Sequence, residues 1–163
     1  MSNLKAVASA LVTTLRAASG MSAPSGTGVP VFDGITPDGR ALPDFVVVGL
    51  SDPNGGGPAF SYTADWASYF TDRSREESGE IACVAVAQSG DTDTATVRNR
   101  VVDLLDACEA ALTAAPQLGG APAGLMWAHL TSADVDVEQS DAGCFATARF
   151  TVSYRGLFGP VIA

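Results

Sequence analysis

The single histidine and the three cysteines are the first residues in this chain that could perform chemistry. A Cys–His pair acts as a nucleophile only when the thiol is accessible and its pKa is depressed. Cys83, Cys108 and Cys144 instead occupy apolar positions of predicted elements, so the pattern predicts buried thiols that behave as small hydrophobic residues. We therefore expect no catalytic pair with His129, and free buried thiols fit a reducing compartment.

Acidic residues form two further candidate groups. Asp91 and Asp93 resemble the start of a calcium loop, but the third ligand, the central glycine and the closing glutamate are missing. We interpret them as helix caps. Asp134, Asp136 and Glu138 alternate along one face of a predicted strand, where nothing apolar surrounds them to raise a carboxyl pKa for acid–base catalysis. They are interpreted as a solvated face.

The glycine run 55–57 is the third candidate, as a phosphate-binding loop. A Walker-type loop needs a lysine followed by Ser or Thr after its last glycine, and the only lysine of the chain is Lys5. A flexible turn is the better interpretation. Zinc-ligand spacings, a nucleophile elbow and a dinucleotide fingerprint are also missing, so the residues alone predict no enzyme, no metal and no cofactor.

Composition limits the classes of protein further. The chain has 163 residues, of which 47% are hydrophobic and 17% charged, which predicts one globular domain over residues 1–163. The net charge of −9 argues against ordinary nucleic-acid binding, and no Lys or Arg occurs between Val101 and Ala148. No apolar run approaches the roughly 20 residues that span a bilayer. The alanine-rich start has helically spaced apolar residues, and we interpret it as a folded helix rather than a leader.

A strand followed by a long amphipathic helix, residues 79–115, is the centre of the predicted fold. Glu80–Gln88 is a compact, valine-rich run typical of a buried strand, and Asp91–Thr94 supplies the N-cap oxygens of the helix. Apolar residues then recur at steps of three and four along one helix face: Val97, Val101, Leu104, Cys108, Ala111 and Ala115. Such a helix must pack on a sheet.

The remaining chain supplies that sheet. A first helix is predicted over Asn3–Ser19, followed by short strands at Val29–Phe32 and Pro43–Leu50. The segment 51–78 lacks a clear period, and we expect it to protrude as a loop or hairpin.

A closing hairpin has a register that can be derived from its pattern. A turn over Ser140–Gly143 pairs Val137 with Ala146 and Asp134 with Arg149, which also forms a favourable charge pair. In this pattern Trp127, His129 and Thr131 share one face with the apolar residues Ala133, Val135 and Val137. The predicted fold is α+β, with a mixed, mostly antiparallel sheet and two helices on one face, in the order α-β-β-(loop or hairpin)-β-α-β-β.

This arrangement resembles the tail terminator proteins of long-tailed phages, also called tail-completion or minor tail protein U-like proteins. The resemblance rests on the N-terminal helix followed by Val29–Gly34 and Pro43–Gly49, on the strand–helix unit Glu80–Ala115, and on the acidic hairpin that ends in Tyr154-Arg155-Gly156. It covers most of the chain, and it lies in the order and spacing of elements.

The resemblance implies a structural virion protein that forms a ring, typically a hexamer, at the neck of the particle. Such a ring caps the tail tube protein, joins it to the head–tail connector protein and lets DNA pass through its lumen; it assembles in the host cytoplasm. Acids lining a lumen repel phosphates, so Asp134, Asp136 and Glu138 become candidates for this lining. Candidates for docking on the tube come from the segment 51–78: Asp52, Asn54, Phe60, Tyr62, Trp66, Arg73 and Arg75.

Two alternatives remain open at this point. One is another head–tail connector or adaptor component, which shares the virion role but binds the portal side. The other is a small cytoplasmic enzyme or ligand-binding domain that uses a pocket beneath Trp127 and His129.

Overall fold

The computed structural model describes residues 2–34, 43–50, 57–66, 74–120 and 122–159. These described ranges contain two helices and seven strands, and a short helical turn at Leu118–Gly120 follows the second helix. Their bounds are α1 Leu4–Arg16, β1 Met21–Ser22, β2 Val29–Asp33, β3 Asp44–Val48, β4 Phe60–Trp66, β5 Arg75–Ser89, α2 Thr94–Ala114, β6 Leu125–Ser140 and β7 Gly143–Phe158.

The strands form one mixed sheet in the order β1-β2-β3-β5-β7-β6. The pairs β1–β2 and β2–β3 are parallel, and the other pairs are antiparallel. β4 pairs with the first half of β5, on the same side of β5 where β3 pairs with its second half. Both helices share a single apolar core with one face of this sheet. The predicted α+β class with two helices on a mixed sheet is confirmed.

Helix α1 forms because its apolar residues repeat at helical spacing and bury one stripe against the sheet: Val7, Ala8, Leu11, Val12 and Leu15. The Asn3 side chain makes no cap hydrogen bond. At the other end, Arg16 Nε donates to the carbonyl oxygen of Val31 at 3.0 Å, which fixes the last turn of α1 against β2.

Helix α2 begins as its sequence predicts. The Asp93 carboxylate accepts from the backbone N–H groups of Ala95 and Thr96, and its pKa is lowered by hydrogen bonds, first of all the one from the Thr96 side chain. The predicted apolar stripe is buried at Val97, Val101, Leu104 and Cys108, and Leu112 completes it. The stripe packs against β5, β6 and β7.

Strand β5 differs from its prediction at its first residues. It begins at Arg75 and not at Glu80, and it pairs with β7 along its whole length. Residues 75–78 of the segment expected to protrude as a loop or hairpin thus belong to the sheet, where the Glu77 side chain finds hydrogen-bond donors and is fully buried. Within the segment 51–78, β4 and the start of β5 form an antiparallel pair.

The closing hairpin has the predicted register. Val137 pairs with Ala146, Val135 with Ala148, and Ser140 with Gly143 at the turn. The prediction is wrong only before Ala133. The register shifts between Leu130 and Ser132, so that Thr131 is the extra residue of a bulge.

The bulge reverses the faces of the first half of β6. Trp127 and His129 pair with Arg155 and Ser153, on the face away from the helices, whereas Ala128 and Leu130 point to the core side. The Thr131 hydroxyl contacts the Thr151 carbonyl oxygen at 3.3 Å and the Ser153 hydroxyl at 3.0 Å. These bonds to β7 satisfy the side chain of the inserted residue.

Candidate interaction face

The face of the sheet opposite the helices is called the open face here, across β4, β5, β7 and β6. The strand registers place on it every second residue of these strands. Its charged members are Asp65, Glu76, Glu80, Asp134, Asp136, Glu138, Arg149 and Arg155. Hydroxyl side chains occupy much of the remaining area: Ser61, Thr63, Ser78, Ser132, Thr151 and Ser153.

The three predicted lining acids lie together on the open face, at the outer strand β6. Asp134, Asp136 and Glu138 are exposed, as is every residue of β6 from Thr131 to Ser140. Asp136 forms an ion pair with Arg149, whose backbone lies directly opposite Asp134. The Arg149 side chain is 36% exposed and the Asp136 side chain 58%, so solvent screens the attraction between their charges.

Acids of β4 and β5 extend this charge across the open face. Glu80 and Asp65 are exposed, and Glu76 forms an ion pair with Arg155. The open face therefore carries more acids than arginines. Each of its two arginines forms an ion pair with a different acid. Asp65 and Glu76 were not singled out from the sequence because both lie in the segment 51–78, which was expected to protrude as a loop or hairpin.

Trp127 and His129 stack on the open face, with ring centroids 4.4 Å apart. Trp127 lines a groove of about 310 Å³ whose other lining includes Ser61, Thr63, Ser78 and Glu80. The groove is open to solvent rather than enclosed, and its lining combines aromatic side chains with serine and threonine hydroxyls, whereas a site for a small molecule usually encloses most of the ligand. His129 is exposed and lies outside this lining.

The predicted docking residues differ in exposure and in whether the structure describes them. Phe60 and Tyr62 lie on β4 and are 36% and 49% exposed. Arg75 lies in β5 with a side chain that is only 12% exposed, and it binds Glu77 at 2.8 Å. The buried partner of Arg75 speaks against a docking role for this residue. The backbone of Trp66 ends β4, and Asp52, Asn54 and Arg73 lie outside the described residues.

A buried polar cluster connects β5 with the start of α1 on the helix side of the sheet. The Glu77 carboxylate accepts hydrogen bonds from the Asn3 backbone N–H and the Ser2 hydroxyl, each at 3.1 Å, and from Arg75 and Tyr154 at 2.8 Å. Burial raises the pKa of Glu77, but these donors, with Arg75 first among them, outweigh burial and lower the pKa. The carboxylate thus caps α1 from the sheet.

The three thiols lie on the helix side, where each is buried, and His129 lies on the open face. The sheet thus separates the imidazole from the thiols. Burial raises the pKa of Cys83 and raises that of Cys108 to about 12, so that neither thiol is activated. Within the described ranges, no group of three or more potential ligands has the geometry of a metal site, and no helix is long and apolar enough to cross a membrane.

Comparison with known proteins gives a likeness of fold. No protein-family model matches this chain, and no curated protein matches it. Among solved structures, the chain is similar to one chain of the virion of a native gene transfer agent particle, with a TM-score of 0.62 and 15% sequence identity. The match covers 94% of this chain and 96% of that chain. This chain therefore shares the fold of a protein from that virion particle, over nearly the whole length of both.

Proposed function

We propose that this chain is a structural protein of a phage-like virion and that it acts as a tail terminator, a ring that caps the tail tube and joins it to the head connector. The observation that carries the proposal is the fold shared with a gene transfer agent virion chain, which leaves little of either chain unmatched. The order of elements that resembles tail terminators in the sequence leads to the same class of protein.

The charge of the open face supports this role. A channel that conducts DNA should repel phosphates rather than bind them, and acids on its wall achieve this. Asp134 and Glu138 at β6 and Glu80 at β5 are all exposed on the open face. In the proposed ring, the open face lines the lumen and the helices lie outside.

Docking on the tail tube is proposed for the side of the molecule that carries β4. Phe60 and Tyr62 expose aromatic surface there, and exposed aromatic side chains are frequent anchors of protein interfaces, whether with the tube or with a neighbouring subunit. Arg75 is omitted from this proposed surface because it binds Glu77 inside the sheet.

Native mass spectrometry over a concentration series, with negative-stain imaging of the same samples, tests the proposed function. We expect closed rings of one subunit number with a central hole, formed by the free protein or after addition of purified tail tubes that lack a terminator. Bound rings should also stop further growth of such tubes in the presence of tube protein.

Three outcomes separate the alternatives. A ring on tube ends supports the terminator. Binding to purified connector rings without any effect on tubes would overturn the terminator in favour of a connector component. A monomer that binds neither tubes nor connectors would overturn the virion role. It would favour a ligand-binding domain or enzyme that uses the groove beside Trp127.

A further inference from the structure

Exposed large apolar side chains concentrate on two strands of this molecule. In the part of the chain that the structure describes, five of the six such residues lie on β4 or β6, and Val102 on α2 is the exception. The five are Phe60, Tyr62, Met126, Val135 and Val137. Apolar surface of this kind, confined to particular elements, marks an interaction site more often than scattered residues do.

Both strands have an outer edge with which no described strand pairs. β6 ends the sheet on one side, and β4 lies on the other side, beyond β5 and β7. A free edge presents unpaired backbone N–H and C=O groups, which are a template for a further strand. A span of four strands, β4-β5-β7-β6, thus has one free edge at each end.

The two edges match each other in side-chain chemistry. Phe60 and Tyr62 on β4, and Val135 and Val137 on β6, all belong to the helix side of the sheet. Pairs of aromatic and β-branched residues are favourable across strands. On the open face, Ser61 and Thr63 of β4 would meet the acids of β6, whose carboxylates accept hydrogen bonds from hydroxyl groups.

Pairing of β6 with a second β6 is opposed by charge. In an antiparallel pair centred on Asp136, this residue faces its own copy and Asp134 faces Glu138, because all three occupy alternate positions of one strand. Like charges directly opposite each other destabilise a strand pair. The β6 edge therefore favours a different strand as its partner, and β4 of another copy offers one.

We propose that β6 of each subunit pairs with β4 of the next subunit, so that the ring is closed by one continuous sheet; this proposal rests on the proposed function. The strands of the span alternate in direction. Copies related by rotation about an axis along the strands would therefore bring β6 and β4 together antiparallel, with the open face of every copy inward. Such a head-to-tail contact closes into a ring without any isologous interface.

The strand positions also suit a closed sheet. β4 lies beside the first half of β5, whereas Val135 and Val137 lie at the level of its second half, through β7. Pairing these segments requires a stagger along the strands, and strands that close into a barrel are tilted and staggered.

Two edge variants and one control test the proposal. Tyr62→Lys changes the β4 edge, the double variant Val135→Lys/Val137→Lys changes the β6 edge, and Val102→Lys adds the same charge at an exposed apolar position of α2. We expect rings from wild type and Val102→Lys, and monomers from each edge variant, by native mass spectrometry. A mixture of the two edge variants should give 1:1 heterodimers and nothing larger, because one intact β6 edge meets one intact β4 edge.

Rings formed by either edge variant, or homodimers formed by the β4-edge variant alone, would overturn the edge pairing while leaving the ring itself intact. The absence of rings in wild type, with or without tail tubes, would overturn the proposed function and the pairing together. Because an edge variant that misfolds would also fail to form rings, a second measurement uses the wild-type protein. Amide hydrogen exchange across Ala133–Val137 should slow by at least about tenfold on ring assembly, and unchanged exchange would contradict the pairing.

Discussion

The Tyr154 hydroxyl donates a hydrogen bond to the Glu77 carboxylate at 2.8 Å, and both side chains are buried. Glu77 lies in β5, and Tyr154 lies in β7 directly opposite Gly79. Because Gly79 has no side chain, the Tyr154 ring lies across this position and reaches the carboxylate two residues away. The same carboxylate binds the start of α1 through Ser2 and Asn3. One buried charge thus connects two strands and a helix.

Replacement of Glu77 should strongly destabilise the fold. Every group that the Glu77 carboxylate contacts donates a hydrogen bond to it. In Glu77→Gln the side-chain N–H₂, itself a donor, would lie against these donors and find no acceptor among them. We expect Glu77→Gln to lower the free energy of unfolding by about 3 kcal/mol, because it leaves the largely buried Arg75 without its charge partner. Urea unfolding measures this loss. Tyr154→Phe, which removes only one hydrogen bond, should cost about 1.5 kcal/mol.

The matched control is Glu80→Gln, an exposed position of the same strand, for which a change within about 0.5 kcal/mol is expected. Equal effects of Glu77→Gln and Glu80→Gln would contradict the role assigned to the buried cluster.

Stability should depend on pH through the same carboxylate. The pKa of Glu77 is lower in the folded protein than its usual value of 4.5. The unfolded chain therefore binds a proton first as the pH falls, so the stability from Glu77 is complete above pH 4.5 and is lost as the pH falls through the folded pKa. Unfolding of wild type and Glu77→Gln at several pH values should show a difference that shrinks below pH 4.5. A constant difference down to about pH 2 would contradict this linkage.

Gly79 should not tolerate a side chain. A Cβ at this position would lie 2.5 Å from the Ser61 carbonyl oxygen and 2.6 Å from the Tyr154 ring. Because the carbonyl belongs to a paired strand, Gly79→Ala should destabilise the protein by about 2 kcal/mol in urea unfolding. Gly90→Ala is the control, since a Cβ there has open space within 4 Å. Similar stability of both variants would show that β4 moves freely on β5.

The thiols should react only when the structure opens. Cys83, Cys108 and Cys144 are buried, and the pKa of Cys108 is raised to about 12. Labelling with a thiol reagent at neutral pH, followed by mass spectrometry, should therefore be slow in the native protein and rapid in denaturant. Fast native labelling of Cys83 or Cys108 would contradict their burial between α2 and the sheet.

Reversal of the lining charge tests the proposed lumen. Particles that assemble with Asp134→Lys/Asp136→Lys/Glu138→Lys should deliver less DNA, since a basic wall would bind passing phosphates. The control is Asp103→Lys/Asp106→Lys/Glu109→Lys, which makes the same change on exposed positions of α2. Infectivity assays on particles of matched protein composition measure the effect. Equal infectivity of the two variants would speak against a lumen position for β6.

The sequence by itself determined the elements whose signals are local. The cap at Asp93, the apolar stripe of α2 and the register of the β6–β7 hairpin from Ala133 onward follow from spacing, alternation and turn chemistry, and the structure has each of them. Acids alternating with apolar residues in β6 allow only one pairing that keeps the acids out of the core. The candidate lining acids were found for the same reason.

Tertiary structure decided the features whose partners are distant in the sequence. Glu77 is charged, and a local reading excludes it from a core; only the donors from Ser2, Asn3, Arg75 and Tyr154 make its burial possible. Thr131 similarly becomes a bulge because Thr151 and Ser153 of β7 bind its hydroxyl. The bulge moves Trp127 and His129 to the open face. These outcomes depend on groups that meet only when the sheet has formed, so composition and periodicity contain no record of them.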